Sequence, residues 1–69
     1  MTKSDLQREA RNITQFLKNH KVKYDQLPTV LFINVPGSHI SFVAGSDLIQ
    51  ELAEGDPYFT LLSLFHDLL

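Results

Sequence analysis

The side chains able to carry acid–base, nucleophilic or metal chemistry are thinly scattered along this sequence. Its 69 residues hold three histidines and eight carboxylates, and no cysteine. Two metal ligands on one helix reach a shared ion when they stand about one turn apart, at i and i+4. His20, His39 and His66 each lack a second His, Asp or Glu at that spacing. Asp56 and His66 are ten residues apart, nearly three helical turns, which is too far for a common ion. Ser38 and His39 are neighbours, but adjacent residues of a strand point to opposite faces, so they make no nucleophile–base pair. Without cysteine there are no thiolate zinc sites, no cysteine nucleophiles and no disulfides. Gly37, Gly45 and Gly55 each sit at a turn or helix end, leaving no glycine-rich loop to cradle a phosphate. The expectation is a non-enzymatic protein with no cofactor and no metal.

Two chemistries of binding remain. The first is charge. All six basic residues lie within the first 23 positions, beside only Asp5 and Glu9, and this stretch carries +4. The rest holds six carboxylates and no Lys or Arg, or −6, for the net −2. Arg8, Arg11, Lys18, Lys21 and Lys23 are therefore the candidates for contact with phosphate or an acidic protein. The competing reading is that the two halves neutralise each other, across the fold or between copies of a dimer. A pI near 5.8 and so few cations argue against binding nucleic acid by bulk charge, and any such contact fades steeply with salt.

The second chemistry is apolar. On a helical wheel, Tyr58, Phe59, Leu61, Leu62, Leu64, Phe65, Leu68 and Leu69 cover about 220°, whereas a surface helix usually needs a stripe little wider than 100°. Each Leu or Phe buried contributes roughly 1.5–3 kcal/mol, so this arc needs a cover. A core helix wrapped by the rest of the chain is one answer. A surface for a second copy is another, with Tyr58, Leu61, Leu62, Phe65, Leu68 and Leu69 as its contacts. A groove on a different protein is a third. A membrane interface is the weakest, because the helix carries no Lys or Arg to meet anionic lipid.

The elements that hold these residues read from periodicity. Leu6, Ala10, Ile13, Phe16 and Leu17 fall within an arc of about 120°, which predicts a helix over 4–20 with a Ser4/Gln7 capping box. Arg8, Arg11 and Lys18 lie on its other side. Residues 21–28 have no clean period and read as a connector. Val30, Leu31, Phe32 and Ile33 are strand formers, Pro36-Gly37 is a turn signal, and 38–44 is a second strand, giving a hairpin over 29–44. A tight turn on Pro36-Gly37 sets Asn34 opposite His39 and Ile33 opposite Ile40. Leu31, Ile33, Val35, Ile40 and Phe42 then share the core face. The other face carries Phe32, a possible anchor, with Asn34, His39 and Ser41 near the tip. Neither strand has the lysines or interior proline that blunt an edge, so either edge is open to a partner strand.

Ser46 is the expected cap of a helix over 46–54, ended by a left-handed Gly55. Asp56-Pro57 then opens a last helix over 57–69. The fold class is α+β, one domain over 1–69 in the order helix–strand–strand–helix–helix, with no repeat and no linker. The start is polar and no stretch is apolar enough to span a membrane, so a cytoplasmic protein is expected. A chain this short without disulfides gains most from a partner chain. The functional expectation is a small interaction or regulatory protein, homodimeric through its last helix with Phe32 as a further contact. A weak nucleic-acid binder and a subunit of a larger assembly are the alternatives.

Overall fold

A computed structural model of the chain describes all 69 residues and has the order helix, hairpin, helix, helix. The first helix, α1 (Lys3–Tyr24), is longer than its apolar period at both ends. Its capping box is built on Thr2 and not on Ser4: the Thr2 hydroxyl accepts from the Asp5 N–H at 3.2 Å, and Asp5 accepts from the Thr2 N–H at 3.1 Å. This choice makes the reciprocal acceptor a carboxylate, Asp5, at the positive end of the helix dipole, where a Ser4/Gln7 box would use a neutral amide. Beyond His20 the helix continues because nothing in Lys21-Val22-Lys23-Tyr24 breaks it. Lys21 and Lys23 favour the negative end of the dipole, and Asp25 ends the helix in a left-handed conformation, φ 57°. Helix without apolar period is invisible to a wheel.

The Thr2 backbone N–H first, its hydroxyl second, and then Arg8 at 2.9 Å hold the Asp5 carboxyl below its ordinary value of 3.8. A carboxylate with a depressed folded-state pKa stabilises the fold above its unfolded pKa, and that contribution is lost as pH falls through the folded value. Amide exchange over residues 3–6 should therefore quicken as pH drops below about 3.8, beyond the trend of the remaining helix. Asp5→Asn should abolish that extra step. An unchanged profile in the variant would show that the box does not hold the helix end.

Strands β1 (Leu31–Asn34) and β2 (Ser41–Ala44) pair antiparallel with Ile33 opposite Phe42 and Asn34 opposite Ser41. The register lies two residues from the expected one. Pro36-Gly37 does form the turn: Ser38 donates to the Val35 carbonyl at 3.1 Å and Gly37 has φ 78°, the second corner of a type II turn. A type II turn twists against the strands, so it does not close a two-residue hairpin. The ladder closes instead at Val35–Ile40, where the Val35 N–H donates to the Ile40 carbonyl at 2.9 Å, with four residues between. A two-residue slip keeps every side chain on its face. Leu31 and Ile33 accordingly stay buried and Phe42 stays partly buried on the core side, whereas Ile40, expected in the core, is 66% exposed beyond the sheet end. Gly37→Ala should destabilise by about 1 kcal/mol, and Gly37→Asn by less, because Asn tolerates the left-handed region better. Equal melting temperatures for all three proteins would contradict this geometry.

Helices α2 (Ser46–Glu54) and α3 (Pro57–Phe65) follow, and His66–Leu68 tighten into a closing 3-10 turn where continued α-helix was expected. Gly45, not Ser46, caps α2, without a side-chain bond. Gly55 ends α2 in an extended conformation and not a left-handed one. Its glycine answers to space: a Cβ there would stand 3.1 Å from the Glu51 carbonyl oxygen. Asp56 caps α3 as read from the sequence, accepting from the Tyr58 N–H at 3.0 Å, with Pro57 in the first turn. The core is filled by Leu6, Ala10, Ile13 and Leu17 of α1 against Leu61 and Phe65 of α3. Ile49 and Leu52 of α2 close one end, and Leu31, Ile33 and Ala44 of the hairpin cover the rest. Phe65 meets Phe42 edge-on at 5.9 Å between ring centroids. No polar or charged side chain is buried.

Candidate interaction surface

The last helix divides between core and surface. Leu61 is 0% and Phe65 6% exposed, so these two of the expected contacts are buried within the chain itself. The reason is the arc itself: α3 packs on α1 along one side and on α2 along the next, and the Phe65 ring also meets Phe42 of the hairpin. Tyr58 and Leu62 are half-buried against the core, while Leu68 and Leu69 stand exposed on the closing turn. Phe59 and Leu64 are exposed as well and line a shallow 260 Å³ groove with Leu48 and Glu51 of α2.

A second apolar region was only half legible. Phe32 is 67% exposed on the outer face of β1, with Val43 opposite it and Val30 beside it. Asn34, His39 and Ser41 are exposed around the tip. The unexpected member is Phe16. Sequence periodicity puts it with the core residues of α1, yet it sits at the margin of that arc and is half exposed. With Glu9, Asn12 and Ile13 it forms the helical wall of a 320 Å³ groove whose other wall is Val30-Leu31-Phe32. No β2 residue lines this groove, so it runs along the open edge of β1. Phe16 also begins an aromatic run down the helix: its ring lies 6.1 Å from His20, which lies 4.5 Å from Tyr24. The four-residue spacing of Phe16, His20 and Tyr24 was the signal available in the sequence.

Backbone pairing defines what the edges offer. In an antiparallel ladder alternate residues turn their N–H and C=O groups toward the neighbour or away from it. Because Val35 bonds Ile40, residues 33 and 42 also face inward. The N–H and C=O groups of Phe32 and Asn34 therefore point out of the sheet from β1, and those of Ser41 and Val43 from β2. These are donors and acceptors in position for another strand.

The basic residues form no single stripe. Arg8, Arg11, Lys18, Lys21 and Lys23 are all exposed and are spread around α1. Arg8 is paired with Asp5 at 2.9 Å. Arg11 lines a cleft with Asp56, and Lys18 and Lys21 share a groove with Glu54, all without contact short enough for an ion pair. His20 donates from Nδ1 to the Gln26 carbonyl at 3.0 Å, which ties the loop to the helix end. His66 turns Nδ1 to the Ser63 carbonyl at 3.1 Å and Nε2 to Asp67 at 2.9 Å. No three His, Asp or Glu residues gather as a metal site. No helix is long and apolar enough to cross a membrane. Comparison with protein-family models, with curated proteins and with solved structures gives no match.

Proposed function

We propose that this protein works by binding other proteins, without catalysis, and that its first partner is a second copy of itself. One observation carries the reading: the large hydrophobic side chains left exposed are as many as the residues that fill the core, eleven of each. Scattered apolar residues, such as Val22 here, are normal on any surface, but most of the others lie at two places. One is the C-terminal side, with Phe59, Leu64, Leu68 and Leu69; the other is the hairpin with the adjoining side of α1. A domain of 69 residues has little stability to spare, and covering either surface adds to it. The nucleic-acid alternative is less well supported, since the cations of α1 are spread around the helix and three of them share grooves with Glu54 of α2 or with Asp56, the cap of α3.

Light scattering after size exclusion, over a wide concentration range and at two salt levels, tests the reading. The expected mass at micromolar and higher concentration is near twice 7.9 kDa, and it should hold or rise with salt, as apolar association does. A mass of one chain at every concentration would overturn self-association. Binding to a DNA or RNA oligomer that collapses between low and moderate salt would favour the alternative.

A further inference from the structure

Resting on that reading, we propose that the second copy docks on the open edge of β1 and the flanking side of α1, joining the two hairpins into one four-stranded sheet. Two independent features of this face are self-complementary. The first is the strand edge. Phe32 and Asn34 present outward N–H and C=O groups, separated by the inward-bonded Ile33. A two-fold axis perpendicular to the sheet at Ile33 sets Phe32 of one copy against Asn34 of the other, and both exchange their free backbone groups.

The second feature is the helix. Positions 5, 9, 12, 16, 19 and 23 follow alternating steps of four and three residues, which makes one stripe along α1. Glu9, Asn12 and Phe16 of this stripe line the groove at β1, and Phe16, Asn19 and Lys23 line the adjoining hollow. The stripe is acidic at its start, with Asp5 and Glu9, and basic at its end, with Lys23 beside His20. The axis that reverses β1 also reverses α1. The proposed dimer sets this axis at position 14 of α1 as well, so that the stripe maps onto itself. Asp5, which keeps its bridge to Arg8, then lies near Lys23 of the second copy, Glu9 meets Asn19 and His20, and Asn12 meets Phe16. A parallel arrangement would instead set acid on acid. Charge complementarity therefore selects the antiparallel dimer. A stable interface needs about 800 Å² from each partner, roughly a sixth of the 4844 Å² surface. The short strand edge falls below that alone, so edge and helix stripe must contribute together.

The test uses the full chain and two kinds of variant, with the dissociation constant read from sedimentation or light scattering and folding checked by circular dichroism. In Asn34→Pro the lost N–H is one that bonds nothing within the chain, and a proline ring on an edge blocks an incoming strand. Dissociation should become easier by roughly tenfold or more. Lys23→Glu lies on exposed helix and leaves the core untouched. It should weaken the dimer by roughly three- to tenfold, whereas Lys18→Glu, exposed but outside the stripe, should not. Should Asn34→Pro fail to fold, the contrast between these two charge variants decides. A wild-type monomer overturns the self-association reading itself. A wild-type dimer indifferent to both sets, yet split by Leu64→Asp, keeps that reading and overturns only this interface.

Discussion

Phe65→Asp should leave the chain unfolded at room temperature. Phe65 is 6% exposed, sits in the core with Leu61, and meets the Phe42 ring edge-on. Removing a buried phenylalanine side chain costs about 3–5 kcal/mol, and a carboxyl group placed there without a partner adds about 1–3 kcal/mol. The whole net stability of a domain this small is about 3–5 kcal/mol. The substitution therefore exceeds the margin by itself. Far-UV circular dichroism should lose most helical signal, and the amide proton spectrum should collapse to unfolded dispersion. Phe65→Leu, which keeps an apolar filling, should remain folded with a lower melting temperature. A soluble, folded, monomeric Phe65→Asp protein would mean that the residue faces a partner and not the hairpin.

Leu61→Ala should cost nearly as much. Leu61 is 0% exposed at the point where α3 lies on α1, the most extensive helix–helix contact in the fold. Deleting its outer carbons removes apolar burial and leaves a cavity that rigid neighbours fill only in part, for about 2–5 kcal/mol. The expected result is a chain largely unfolded without stabilising salt and rescued by sulfate, which strengthens apolar burial. Leu64→Ala, one turn of the same helix away on its exposed side, should change the melting temperature little. If the two alanine variants melt alike, α3 does not hold the core together.

Much of this division was legible in the sequence, and the parts that were not have physical reasons. Periodicity found the buried side of α1 and the order of all the elements, because burial imposes the period. It could not find the last turn of α1, since Lys21 to Tyr24 are helical without being buried. The faces of the hairpin came through a wrong register intact, because the slip was an even number of residues. The turn residues were identified, but the handedness of a Pro-Gly corner, which decides the loop length, was left out. The apolar arc of the last helix was correctly wide. What a wheel lacks is the direction of each neighbour, so it could not separate Leu61 and Phe65 from Phe59 and Leu64. Phe16 was misplaced for the same reason: it lies at the margin of the arc, where a few degrees of packing decide between core and groove.

The contact between α1 and α3 joins the first element of the chain to the last. During synthesis the side of α1 bearing Leu6, Ala10, Ile13 and Leu17 is made before the α3 residues that cover it. At roughly 5–20 residues per second that interval lasts seconds, far longer than a helix or a hairpin takes to form. The core therefore cannot close until α3 has been added, whatever local structure α1 has reached by then. Until that point the apolar side of α1 stays uncovered, and the first and last helices fold as one unit or not at all.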